Sequence, residues 1–352
     1  MKYLFKILIL LFGTLSFSQE LIFENLFDSS LSSEIACYRI PSIITSTNGT
    51  LIAAIDERNN SCGDLKWNKN INIVLRKSYD DGKTWTKIER IIDYPIGESA
   101  SDPSMIVDRQ TKDIFLFYNY MNLDKGKDIY RFMVIKSNDN GESWSSPKDI
   151  TDQITKKEWK NDFMFITSGR GIQSEDGILL HCLVNLNKGT HVFGSNDHGK
   201  NWFLIDYPLK PGDESKIIEL SNGDWLVNSR VNSNKFRYSH ISKDKGKSWL
   251  SFENKDLSDP ACNASIINYN ISSEKLLLFS NAFDSNERKN LSLSISYDQG
   301  MSWKNNKTIY KGSSAYSSMT KLKNGDVGLF FEKDNYTKNV FVRVPKKWVL
   351  DK

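Results

Sequence analysis

The 352-residue chain is short of histidine, cysteine and net charge, with four His, four Cys and a formal charge of +4. His181, His191, His198 and His240 show no ligand spacing, so no metal site is implied, and nothing else in the chain calls for a cofactor. The glycine-rich stretch "SGRGIQ" (168–173) precedes a strand-like run rather than a helix, which excludes a phosphate-cradling loop. The small, evenly spread charge excludes nucleic acid and membrane surfaces as partners and leaves lysine-rich stretches such as 155–160 as solvated faces. Low-complexity linkers and sizeable extensions are also missing, so a single domain acting as a monomer is expected.

The apolar run Ile7 to Phe17 is short for a membrane span, and no Cys follows it to take a lipid. With Lys2 and Lys6 ahead of it and Ser16 and Ser18 behind, it reads as a signal peptide over 1–18, cleaved after Ser18. The mature chain, 19–352, then carries a charge of +2 and is expected to be secreted or periplasmic, without stable membrane insertion. Four cysteines in an exported chain allow three full pairings, or can stay reduced. Cys37 and Cys62 each stand two residues before a charged residue of interest, Arg39 and Asp64, so a bridge between them would brace a site.

Aromatic residues, by contrast, are plentiful at 12% with nine Trp, which leans towards β structure. Five of the Trp close a repeated octet: "SYDDGKTW" (78–85), "SNDNGESW" (137–144), "SNDHGKNW" (195–202), "SKDKGKSW" (242–249) and "SYDQGMSW" (296–303). The starts lie 59, 58, 47 and 54 residues apart, the common pattern is S-x-D-x-G-x-[TSN]-W, and of the two aspartates in the first copy only that in third position is shared. Asp and Ser accept backbone N–H bonds in a tight turn, Gly supplies a positive φ, and Trp inserts into a neighbouring core. A calcium loop would need ligands at alternate positions and a later Glu, which the copies lack.

Each octet follows a run of strand-like segments. In the first unit "PSIITST", "GTLIAAIDE" and "INIVLRKS" precede it and "TKIERII" follows. Repeated four-stranded units of this length predict a β-propeller. After the last octet, "YSSMTKLK", "DVGLFFEK" and "NVFVRVP" supply three more strands, and the N-terminal "LIFENLF" is available as their fourth. The expected fold is all-β: a six-bladed β-propeller of four-stranded antiparallel blades, its ring closed by the N- and C-terminal strands.

"YRIPSI" (38–43), with Arg-Ile-Pro opening the first unit, together with octets of the Asp-box type, resembles the bacterial exo-sialidases (neuraminidases) over about residues 20–346. That resemblance implies the same six-bladed fold and the retaining hydrolysis of terminal sialic acids from glycans and glycoconjugates. A substrate with a carboxylate on its anomeric carbon calls for a planar, permanently charged clamp, which arginine supplies. The resemblance assigns the clamp to Arg39, to Arg230 at the end of "DESKIIELSNGDWLVNSR", and to Arg288 of "NERKNLSLSISYDQG". A carboxylate nucleophile would be repelled by such a substrate, and sialidases use tyrosine instead. The matching residue is Tyr316 of "SSAYSSM", with Glu214 of "GDESKIIEL", rather than its neighbour Asp213, as the base beside it.

The acid/base aspartate belongs on a loop after the second strand of the first unit, where "AAIDERNNSCGDLKWNKN" offers Asp56 and Asp64. Asp64, in the Gly-containing loop, is the one that the resemblance favours. Arg58, Asp56 and Asp102 of "SASDPSMIVD" resemble contacts around the sugar's 4-hydroxyl, and Glu332 of "GLFFE" resembles the carboxylate that orients Arg39. Trans-sialidases, including intramolecular ones, would share all these residues. A non-catalytic sialic acid-binding propeller would keep the arginines and lose Tyr, Glu or Asp.

Overall fold

The structure, a computed structural model, describes residues 20–126, 129–271 and 274–351; the expected signal peptide lies outside them. An N-terminal strand, β1 (Phe23–Asp28), precedes four blades of short antiparallel strands. The first blade runs β2 (Ile35–Thr45), β3 (Leu51–Asn59), β4 (Ile71–Ser78) and β5 (Glu89–Ile92), one strand for each of the four segments expected there. The second contains β6 (Glu98–Val107), β7 (Ile114–Asn122), β8 (Arg131–Ser137) and β9 (Lys148–Asp149). The third contains β10 (Met164–Ile166), and β13 (Leu179–Asn185), β14 (Gly189–Ser195) and β15 (Phe203–Leu209).

Between β10 and β13 the "SGRGIQ" segment crosses from one sheet to the other. Its strand β11 (Gly169–Arg170) pairs in parallel with β6, while β12 (Ile172–Gln173) pairs with β13. Gly171 is required there, because a Cβ would stand 2.5 Å from the Leu180 carbonyl oxygen. The fourth blade is β16 (Ser215–Glu219), β17 (Trp225–Ser229), β18 (Phe236–Ser242) and β19 (Leu250–Ser258).

The expectation of six blades is corrected by the hydrogen bonding. Four blades are separate sheets, and the remaining strands form one seven-stranded sheet in the order β1-β25-β24-β23-β22-β21-β20. Its new members are β20 (Ser265–Ile271), β21 (Glu274–Ala282), β22 (Lys289–Ser296), β23 (Lys304–Lys321), β24 (Val327–Lys333) and β25 (Lys338–Val344). The physical reason is β23, an unbroken strand of 18 residues. Its first part pairs with β22 up to Ser313 and its second with β24 from Ser314, so one strand serves both neighbours without an intervening break. β1 pairs with β25 and widens this sheet, and among the described residues no sheet closes into a barrel.

The octets hold neighbouring sheets together. In each copy the Ser is the last residue of a strand (Ser78, Ser137, Ser195, Ser242, Ser296) and the Asp accepts bonds from the residues that follow. Asp80 Oδ1 accepts from the backbone N–H of Thr84 at 2.9 Å and Oδ2 from the Thr84 hydroxyl at 2.7 Å. Both the fourth and fifth positions are left-handed, for example Asp81 (φ 59) and Gly82 (φ 83). The Gly lets the turn press onto the preceding sheet: a Cβ on Gly199 would meet Phe115, and on Gly300 would meet Leu226. The Trp then packs across the same seam, Trp202 standing edge-on to Phe117 at 5.0 Å.

Candidate active site

Three strands lose regular pairing just where site side chains stand. Pairing shifts between Arg39 and Ser42 in β2, between Ser101 and Ser104 in β6, and between Ser314 and Ser317 in β23. Ile40 (φ 69) and Asp102 (φ 63) are left-handed there, each followed by a proline that has no N–H to leave unpaired. Such bulges re-aim side chains. Arg39, Asp102 and Tyr316 are thereby turned into one cavity of about 310 Å³, which Asp64, Glu214, Arg230 and Arg288 also line. A larger cavity of about 810 Å³, walled by Thr45, Val107, Leu220 and Lys321, contains none of the sequence-predicted site residues.

Arg230 organises one wall. Its Nη1 donates to Glu214 Oε2 at 2.6 Å and to the Tyr316 phenol oxygen at 3.2 Å, while its Nε donates to Asn232 at 2.7 Å. Arg39 and Arg288 flank the same phenol, each with its guanidinium carbon 5.5 Å from the Tyr316 ring centre. The three arginines therefore surround one tyrosine. Tyr316 is only 8% exposed, although it stands among small Ser and Ala residues. Burial, followed by the charge of Glu214, pushes the phenol well above its ordinary pKa, against the pull of Arg230 and Arg288.

Glu332 is fully buried and holds Arg39 by two bonds, Nε to Oε1 at 2.6 Å and Nη2 to Oε2 at 3.5 Å. It also accepts the backbone N–H groups of Ile40 (2.9 Å) and Tyr316 (3.1 Å), so one carboxylate ties Arg39 to the strand of Tyr316. Arg230 and Glu214 are linked in the backbone too, through Arg230 N–H to the Glu214 carbonyl.

Asp64 stands on the loop after β3, with a side chain 77% exposed and a 2.7 Å ion pair to Arg58, whose side chain is 1% exposed. Despite partial burial, the charge and hydrogen bond of Arg58 hold this carboxyl below its usual range. Cys37 and Cys62 form a disulfide that anchors this loop to β2, and Arg58 Nη1 also donates to the Cys62 carbonyl at 2.9 Å. Cys182 and Cys262 are free and buried.

Asp56 does not reach the cavity wall. It is fully buried, and its oxygens accept from Arg58, the Ser101 hydroxyl (2.6 Å) and the Asp102 N–H (2.9 Å). It acts beneath Arg58 and Asp102, which do line the cavity. Burial and the neighbouring Asp56 charge raise the Asp102 carboxyl, and burial with Glu214 raises that of Asp213. Among the described residues no group of three or more His, Cys, Asp or Glu stands together as a metal site.

Sequence reasoning missed Asn232, Asn119, Tyr336 and the aromatic rim formed by Trp67, Phe163 and Phe165. The rim left one signal. Trp67 is one of four Trp outside the octets and lies three residues past Asp64. Asn119 lies within β7, and Asn232 and Tyr336 lie in the turns just past Arg230 and Glu332; none carries a signal of its own.

Residues 49–329 match the model of a BNR repeat-like domain. The chain belongs to the BNR repeat-like domain family. Among proteins similar to this BNR repeat-like chain is a sialidase of Bacteroides fragilis, 29% identical over 330 residues, covering 84% of this chain and 60% of that protein. Another is a sialidase of Micromonospora viridifaciens, 32% identical over 327 residues, covering 84% of this chain and 50% of the relative. The chain thus spans half to three fifths of the length of these relatives. Of solved structures, the Hadza microbial sialidase Hz136 superposes with a TM-score of 0.81 at 26% identity, covering 88% of this chain and 66% of that one. The intramolecular trans-sialidase of Ruminococcus gnavus shares the fold, with a TM-score of 0.81 at 18% identity over 94% of this chain and 98% of its own.

Proposed function

We propose that this protein is an exported exo-α-sialidase, hydrolysing terminal sialic acids from glycoproteins, glycolipids and oligosaccharides with retention. The observation that carries this reading is the encirclement of Tyr316 by Arg39, Arg230 and Arg288, with Glu214 sharing the Nη1 of Arg230. Three guanidinium groups around one buried phenol suit a substrate that carries a carboxylate on the carbon to be attacked.

In the first step the Tyr316 oxygen bonds to the anomeric carbon while Glu214 takes the phenolic proton, which burial has kept on the oxygen. The glycosidic C–O bond breaks, and Asp64 gives its proton to the departing oxygen. In the second step Asp64 takes a proton from water, the water oxygen displaces tyrosine from the anomeric carbon, and Glu214 returns the proton to the phenol. Two displacements at one carbon give retention. The Arg58 ion pair favours the ionised, basic form of Asp64, so this pair loosens when Asp64 acts as acid.

Transfer to a sugar acceptor, or within the substrate, is the second reading. It draws on Trp67, 66% exposed at the cavity mouth on the Asp64 loop, as a surface on which an acceptor could stack. Fluorophore release from a 4-methylumbelliferyl sialoside tests catalysis, with Tyr316→Phe expected to lose about a thousandfold in kcat. An inactive wild type sinks the enzyme, and full activity in Tyr316→Phe sinks the mechanism. NMR of the released sugar separates hydrolysis from transfer.

A further inference from the structure

The turn between β24 and β25 places three consecutive residues in the left-handed region: Asp334 (φ 51), Asn335 (φ 53) and Tyr336 (φ 69). Asn and Asp tolerate this backbone, whereas a bulky tyrosine does so at a cost that glycine would avoid. Strain of this kind persists only where surrounding contacts over-determine it. Here the turn is tied to β23, the strand of Tyr316: Asp334 N–H donates to the Ser313 carbonyl (3.0 Å), Asn335 N–H to the Ser313 hydroxyl (3.1 Å), and the Tyr310 hydroxyl to Asp334 (2.5 Å).

The strained residue faces the site. The Arg39 guanidinium carbon lies 4.0 Å from the Tyr336 ring centre, closer than its 5.5 Å to Tyr316. Arg288 Nη1 donates to the Tyr336 hydroxyl at 3.3 Å, and its Nη2 donates to the Ala261 carbonyl at 3.0 Å. The ring also packs against the cluster of Ile40, Cys262, Ala315 and Tyr316. One side chain therefore touches two arginines, one through its π face and one through its oxygen.

We infer that Tyr336 is a positioning residue for the arginine clamp, fixing the plane of Arg39 and the fork of Arg288 before substrate arrives. Glu332 occupies the Nε and one Nη2 hydrogen of Arg39 in the guanidinium plane, and Tyr336 covers one face, leaving the Nη1 hydrogens for a carboxylate. Two cations facing one cavity repel each other, and an aromatic face with a phenol oxygen between them offers both a negative partner. Arg230 has its own supports in Glu214 and Asn232, so Tyr336 serves the other two.

This inference rests on the sialidase reading, and its test separates the two. N-acetylneuraminate affinity by calorimetry, melting temperature, and kcat and KM on the 4-methylumbelliferyl sialoside are measured for wild type, Tyr336→Phe and Tyr336→Gly. Tyr336→Gly removes the ring while suiting the left-handed backbone, which protects folding. It is expected to weaken binding and raise KM about tenfold, with kcat within about threefold. Tyr336→Phe keeps the stack and loses the Arg288 bond, for an expected loss of about threefold. Unchanged affinity and KM in either variant overturn the inference, as does a fall in melting temperature with binding intact. A wild type that binds the sugar but releases no fluorophore removes the proposed catalysis alone, because the order wild type, Phe, Gly in affinity still tests the clamp.

Discussion

Two sets of aspartates in this chain are held in opposite ways. In the octet turns Asp80, Asp139 and Asp244 are drawn down to about 2, by the backbone N–H of Thr84 for Asp80 and by the hydroxyls of Ser143 and Ser248 for the other two. Around the cavity Asp102 and Asp213 are pushed up, first by burial and then by a neighbouring carboxylate. The turn carboxylates gain bonds on ionising and help the fold. Those at the cavity resist ionisation, an arrangement that local turn chemistry would not select and that a site can use. Position in the fold, not residue type, decides which.

The largest effect expected is at Glu214. Glu214→Gln should lower kcat about a thousandfold while the melting temperature moves by only a few degrees, measured by steady-state kinetics and calorimetry side by side. A stability loss with activity retained would place Glu214 among the structural carboxylates instead. Asp64 tests the border between the sets, being exposed and held low like an octet aspartate yet standing at the cavity. Asp64→Ala should lose about a hundredfold on a natural sialoside and only a few-fold on the 4-methylumbelliferyl one, whose leaving group needs little protonation. Equal losses on both substrates would remove the acid role.

Asp102 breaks the comparison by pH. Its raised carboxyl keeps a proton in the folded state that the unfolded chain releases near pH 4, so its stability contribution is present below that pH and lost as pH rises through the folded value. Asp102→Asn should therefore melt progressively higher than wild type as pH goes from about 4 to about 9, by up to several degrees. A constant gap would show that Asp102 titrates normally. The octets run the other way: their contribution is present above about pH 4 and fades as pH falls towards the folded value near 2. Asp139→Ala, the smallest effect, should lower the melting temperature by about 2–4 °C near neutral pH with kcat unchanged, and the difference should shrink in acid.

The octets were legible because turn chemistry is local: each Ser, Asp and Gly answers to residues within four positions. The strands of the first blade were legible for the same reason. The blade count was not, because the pattern of strand-like runs is silent on whether β23 breaks between Ser313 and Ser314. Asp56 on β3 and Asp64 in the loop after it lie eight residues apart, and only burial shows that Asp56 lies beneath the cavity and Asp64 at its mouth.

By itself the sequence determined the repeat, the β class, the turn role of the octet aspartate and a short set of charged and phenolic candidates, since these follow from residue type and spacing. Only the tertiary structure decided that β22 and β24 share one strand, that bulges at Ile40, Asp102 and Ala315 turn side chains into one cavity, and that Tyr336 meets Arg39 and Arg288. Those contacts join residues up to 297 positions apart, as Arg39 and Tyr336 are, and no local pattern specifies a partner at that distance.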